Sequence, residues 1–124
     1  MTKGQKRSLL RGLLAAHAKA VDLEILLRIG GEAQQAEAEA EAAGARADEL
    51  AEAIDKLRAR AWQEWTGSAK RLEQEIEQRS KALQTAIRSL ERKARSAQGV
   101  ARALALLDEL IWIAVGVARP GPRL

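Results

Sequence analysis

Residues 47–83 read ADELAEAIDKLRARAWQEWTGSAKRLEQEIEQRSKAL, and this stretch decides the fold. Before the Thr66–Gly67–Ser68 break, Ala47, Leu50, Ile54, Leu57 and Ala61 recur every three or four positions. After it, Ala69, Leu72, Ile76, Arg79 and Leu83 do the same. That spacing keeps side chains on one side of an α-helix, so the break joins two amphipathic helices. Ser68 is placed to cap the second, its hydroxyl accepting from an amide one turn on.

Folding the chain back at Gly67 sets Leu57 against Ile76, Leu50 against Leu83 and Ala43 against Leu90, small residues facing large ones as a close-packed seam requires. The charges follow. Glu37, Glu39 and Glu41 fall opposite Arg92, Lys93 and Arg95, and Arg58 and Arg60 opposite Glu73, Glu75 and Glu77. Exposed ion pairs contribute only about 0–1 kcal/mol each, so this pattern selects orientation more than stability. The reading is an antiparallel helical hairpin with coiled-coil packing.

Working outward, a first stripe runs Leu9, Leu13, Ala16, Ala20, Leu23, Leu27 and a last one Val100, Leu104, Leu107, Ile111, Ala114. Gly30–Gly31, Gly99 and Pro120–Gly121–Pro122 punctuate them. One domain over 1–124 follows, with helices near 5–29, 32–65, 68–97 and 100–118, a fraying start at 1–4 and a flexible tail at 119–124. Because the third and fourth stripes share one register, they also admit a single helix through Gly99. The flanking helices either lengthen the hairpin, with Leu27 near Leu107 and Leu23 near Ile111, or fold back on its alanine-rich end into a bundle. Both forms leave apolar surface to cover, which predicts a homodimer.

Composition agrees with an all-α class. Ala, Leu, Glu, Arg, Lys and Gln dominate, Phe, Tyr and Cys are absent, and three Trp are the only aromatic residues. The lack of cysteine fits a reducing, cytoplasmic setting. The basic, then apolar, start is interrupted by Arg11, His17, Lys19 and Asp22, so it reads as an amphipathic helix and not as an export signal. No uncharged apolar run approaches the length of a transmembrane helix. The net charge of +4 hides a pattern: +4 over residues 1–30, −7 over 31–55, +7 over 56–102 and zero beyond.

No constellation points to catalysis, a cofactor or a metal. His17 is the single histidine and lacks partners at ligand spacing, whereas zinc needs three or four. The Glu32–Glu41 run spreads its carboxylates around a helix as a solvated face. Trp62 and Trp65, with Arg58, Arg60 and Arg71 nearby, either cap the hairpin end or form a binding hot spot, since Trp and Arg are enriched in such spots. Leu107, Leu110, Ile111, Trp112 and Val115 lie in a nearly all-apolar helix that wants burial, in the core or between two subunits. Lys3, Lys6, Arg7 and Arg11, and Arg88, Arg92, Lys93 and Arg95, are the candidate phosphate contacts.

The function this supports is a small non-enzymatic, basic helical protein that binds another protein as adaptor, assembly factor or inhibitor, in the style of phage or mobile-element accessory proteins acting on a host complex. The alternatives are a nucleic-acid-binding protein using its basic helices and N-terminal tail, and a purely structural coiled-coil oligomer. Membrane attachment is disfavoured, since Asp108 and Glu109 beside the apolar run repel anionic lipid.

Overall fold

Three of the four helices start where a hydroxyl takes up an otherwise unpaired amide. The computed structural model describes residues 2–29, 33–61, 68–92 and 96–118. Helix α1 spans Lys3–Ile29, α2 Ala33–Ala59, α3 Ala69–Arg92 and α4 Ala97–Ala118. Thr2 Oγ1 accepts from the Gln5 amide (3.1 Å) while Gln5 Oε1 accepts from the Thr2 amide (2.8 Å), a reciprocal capping box. The start of the described chain is therefore tied down where the sequence suggests fraying. Ser68 Oγ accepts from the Arg71 amide at 3.5 Å, the cap read from the sequence. Ser96 Oγ caps α4 by accepting from the Gly99 amide at 3.0 Å.

That last cap corrects the reading of residues 97–100. The break falls between Arg92 and Ala97, and Gly99 lies in the first turn of α4. The chain reverses there. A Cβ on Gly99 would stand 3.1 Å from Leu90 Cδ2, and Arg79 of α3 reaches towards Glu109 of α4 (3.9 Å). A single helix through Gly99 is excluded.

The four helices occupy the corners of a square. α1 packs on α2 and α3, and α4 packs on α2 and α3, while neither diagonal forms a seam. Within each hairpin the helices are antiparallel: Lys6 Nζ donates to the Arg60 carbonyl (2.9 Å) and Gly44 abuts the Glu24 carboxylate. Across hairpins they are parallel. Gly12 faces Ile76 near the start of α1 and α3, and Ile29 shares a groove with Glu91 near their ends. Likewise Arg46 meets Asp108, and further along Lys56 shares a groove with Val115.

The second hairpin repeats the burial pattern of the first 63 residues later. Leu13, Ala20 and Leu27 correspond to Ile76, Leu83 and Leu90, and Ala40, Ala43, Ala47 and Ile54 to Ala103, Leu106, Leu110 and Val117, all buried. All these belong to one continuous apolar core. No polar or charged residue is buried among the described residues.

The expected seam between the second and third helices does not form, and the reason is local. Ile29 and Ala33 are separated by a very short connection, as are Arg92 and Ala97, and short connections make consecutive helices antiparallel neighbours. The link from Ala59 to Ala69 is long enough to cross the diagonal. Large-against-small packing is met within the first hairpin, where Leu23 and Leu27 stand level with Ala43 and Ala40. Exposed charge pairs worth about 0–1 kcal/mol each cannot override that burial. Leu27 and Leu107 lie on the other diagonal, so the single long hairpin is also excluded, and the folded-back bundle holds.

Leu107 and Leu110 are fully buried and Ile111 is nearly so, inside the chain's own core and not on a subunit interface. Leu107→Ala is expected to cost about 2–5 kcal/mol in urea unfolding while leaving the molecular mass in light scattering unchanged.

Candidate interaction surfaces

The square arrangement sorts charge as well as apolar surface. α1 carries six bases and two acids and α3 six bases and four acids, so the adjacent pair α1/α3 is positive. α2 carries three bases and seven acids and α4 one base and two acids, so the opposite pair α2/α4 is negative. The hairpin register set the acidic helix against Arg92; α2 stands across the diagonal from α3, and Arg88 and Arg92 are both exposed.

Between α1 and α3 runs a groove of about 600 Å³ floored by Leu9, Gly12 and Ile76, with Lys19, Lys81 and Arg88 on its rim. Glu73 and Glu77 share that rim, and Lys81 pairs with Glu77 at 2.9 Å, so the groove is mixed in charge. Ser80 Oγ is buried in its wall without a hydrogen-bond partner among the described residues. Gly12 sets the groove's depth, because a Cβ there would stand 3.2 Å from Ile76 Cγ2.

The N-terminal bases separate in role. Lys3, Lys6, Arg7 and Arg11 line a shallow groove with Leu10 and Leu14. Lys6 is already engaged: its ammonium caps the C-terminal end of α2 by donating to the Arg58 and Arg60 carbonyls at 3.4 and 2.9 Å. Arg7 and Arg11 are exposed.

Of the residues singled out around the second bend, Trp62 and Trp65 lie outside the described residues. Arg58 ends α2 exposed, Arg60 is half-buried, and Arg71 opens α3, pairing with Glu75 one turn on (3.3 Å). Lys93 and Arg95 also lie outside the described residues. His17 is half-buried on α1. No group of three or more His, Cys, Asp or Glu able to hold a metal occurs among the described residues, and no helix of the described chain is long and apolar enough to cross a membrane.

Two apolar surfaces remain. On α4 the Trp112 side chain is 68% exposed, next to Val115 and on the same outward side as the exposed Ala105 and Ala101. On α1, Leu14, Val21 and Ile25 are exposed at 7- and 4-residue spacing, with exposed Ala18 between them. The sequence reading missed this second stripe. Its signal was present, because α1 has apolar residues on more of its circumference than one core contact needs.

Arg46 ties the negative pair together. Its Nε and Nη2 donate to the two Asp108 oxygens at 2.8 and 3.3 Å, a forked pair between α2 and α4. Compared with family models, curated proteins and solved structures, the chain shows no match to any of the three. Gly12→Leu would push α1 off α3 and is expected to destabilise the bundle by about 1–3 kcal/mol, read as a lowered midpoint in denaturant.

Proposed function

We propose that this chain is a non-enzymatic protein-binding protein that docks a partner on its outward helix faces, as an adaptor, assembly factor or inhibitor. The observation that carries this is Trp112. The core is complete without it, yet a large aromatic stands two-thirds exposed beside Val115. Large exposed apolar residues that cluster on a surface mark contact sites, and Trp is the residue type most enriched among those that dominate binding energy. Four helices of 22 to 27 residues give it a rigid platform, so little ordering is lost on docking. A chain without cysteine suits the reducing cytoplasm in which such a protein would act.

A second reading has its own observation. α1 and α3, the two positive helices, lie side by side, and Arg88 and Arg92 are not covered by the acidic α2. A positive strip of that kind suits the phosphate backbone of a nucleic acid, whose binding weakens steeply with salt through counterion release. Glu73 and Glu77 on the same groove weigh against it.

Affinity capture from native lysate, with and without nuclease, separates the two. The protein-binding reading expects one protein species in stoichiometric amount, retained after nuclease treatment. Trp112→Ala should weaken that capture by at least about 30-fold, the loss typical of a binding hot spot. Its exposed position predicts a stability change within about 0.5 kcal/mol. Material lost on nuclease treatment would transfer the conclusion to nucleic acid. Recovery of the chain alone would leave a purely structural oligomer.

A further inference from the structure

The outer side of the first hairpin carries two complementary strips. On α1 the strip is apolar with basic ends: Arg7 and Arg11, then Leu14, Ala18, Val21 and Ile25, then Arg28, all exposed. On α2 the strip follows the heptad positions of Gly44, the residue that abuts α1: Glu37, Glu41, Asp48, Ala51 and Asp55. The four carboxylates there are exposed and have no ion-pair partner among the described residues. A carboxylate strip interrupted by small Ala51 complements a ridge of Leu14, Val21 and Ile25 with arginines at its ends.

We propose that this face binds a second copy of the same chain, about a two-fold axis parallel to the helices, so that α1 of each copy lies on α2 of the other. Such an axis keeps every residue at its own height along the bundle. Lys6 stands level with Arg60, and Glu24 with Gly44. Arg11 therefore meets Asp55 of the second copy, and Leu14 covers Ala51. Arg28, which also pairs with Glu24 of its own helix (3.1 Å), lies between Glu37 and Glu41. Val21 stands level with Gly44 and the Glu24 carboxylate that fills the space beside it. Helix directions stay antiparallel across the contact, as in each hairpin.

The other two-fold arrangement, with its axis across the helices, stacks α1 on α1 and α2 on α2. It sets the acidic strip against itself and brings Arg7 and Arg11 opposite Arg28. Like charges placed across an interface oppose association, so the parallel axis is selected.

The size of the face suits a stable dimer. A 27-residue helix is about 40 Å long and about 10 Å across, so two side by side offer about 800 Å² per partner, the standard for a specific interface. The contact extends the layering already present, since the second hairpin lies on the other side of the first. It leaves α4 and Trp112 outermost and open, and so goes beyond the docking role proposed above without depending on it.

Sedimentation equilibrium of the full chain should give twice the 13.5 kDa chain mass. Arg11→Glu and Asp55→Arg should each halve that mass, and the two changes in one chain should restore it, a rescue that a folding defect would not produce. Because the chain has no cysteine, orientation is read by mild oxidation of single-cysteine chains. Leu14→Cys mixed with Ala51→Cys should give a disulfide-linked pair of unlike chains, whereas Leu14→Cys alone should not link to itself. A monomeric mass at all concentrations up to roughly 100 μM, an affinity weaker than a specific dimer needs, overturns the proposal. Single charge variants that remain dimeric, or failure of the double variant to recover the dimer, overturn it equally, as does a chain that links to itself through Leu14→Cys.

Discussion

The structure depends on one constraint: four apolar stripes must be buried against a common axis by helices joined through very short turns. Leucine on α1 meets alanine on α2, and the same pattern returns 63 residues later with larger residues on the last helix. Once Ile29 is followed so closely by Ala33, and Arg92 by Ala97, each pair has to run antiparallel and adjacent. The only freedom left is how the two hairpins meet. They meet in parallel, α1 on α3 and α2 on α4, and the connection between Ala59 and Ala69 spans the diagonal.

This arrangement has an electrostatic consequence. The alternation of positive, negative and positive segments along the chain becomes a polarity across the bundle, with bases gathered on α1/α3 and acids on α2/α4. Between helices, Arg46 pairs with Asp108 at 2.8 Å, and because that pair is only partly buried its worth is about 1 kcal/mol at most. Arg79 stands at the core-stripe position matching Ala16: its Nη1 donates to the Glu75 carbonyl at 3.2 Å, while its Nε is buried without a hydrogen-bond partner among the described residues, 3.9 Å from Glu109 Oε1. Stability therefore rests on apolar burial, and the charges remain available on the surface.

Much of the fold was legible in the sequence. The helical class, the four stripes, the Ser68 cap and the buried sides of α1 and α2 follow from periodicity and capping chemistry, because helix period and side-chain direction are local properties. Helix pairing was not legible. Ala43 packs equally well against Leu23 or Leu90 on volume grounds, and the Glu37–Glu41 run has a base opposite it in either arrangement, Arg28 in one and Arg92 in the other. Pairing was decided by loop length, and the true third break was hidden because the heptad register passes through Arg92–Ala97 without a glycine to mark it. For the surfaces, Leu107, Leu110 and Ile111 were grouped with Trp112 although they lie on the buried side of the same helix and Trp112 on its exposed side. An all-apolar segment conceals which side faces out; only the positions of its neighbours reveal it.

The parallel stacking of the hairpins is tested most directly by paired spin labels on a small fraction of labelled chain diluted into unlabelled protein. Labels at Asp48 and Thr85, on helices at opposite corners, should lie beyond about 20 Å, given neighbouring axes about 8–10 Å apart. Labels at Lys19 and Lys81, which face one groove between α1 and α3, should lie well inside that distance. A short distance between Asp48 and Thr85, with Lys19 and Lys81 far apart, would put α2 on α3 and contradict the account.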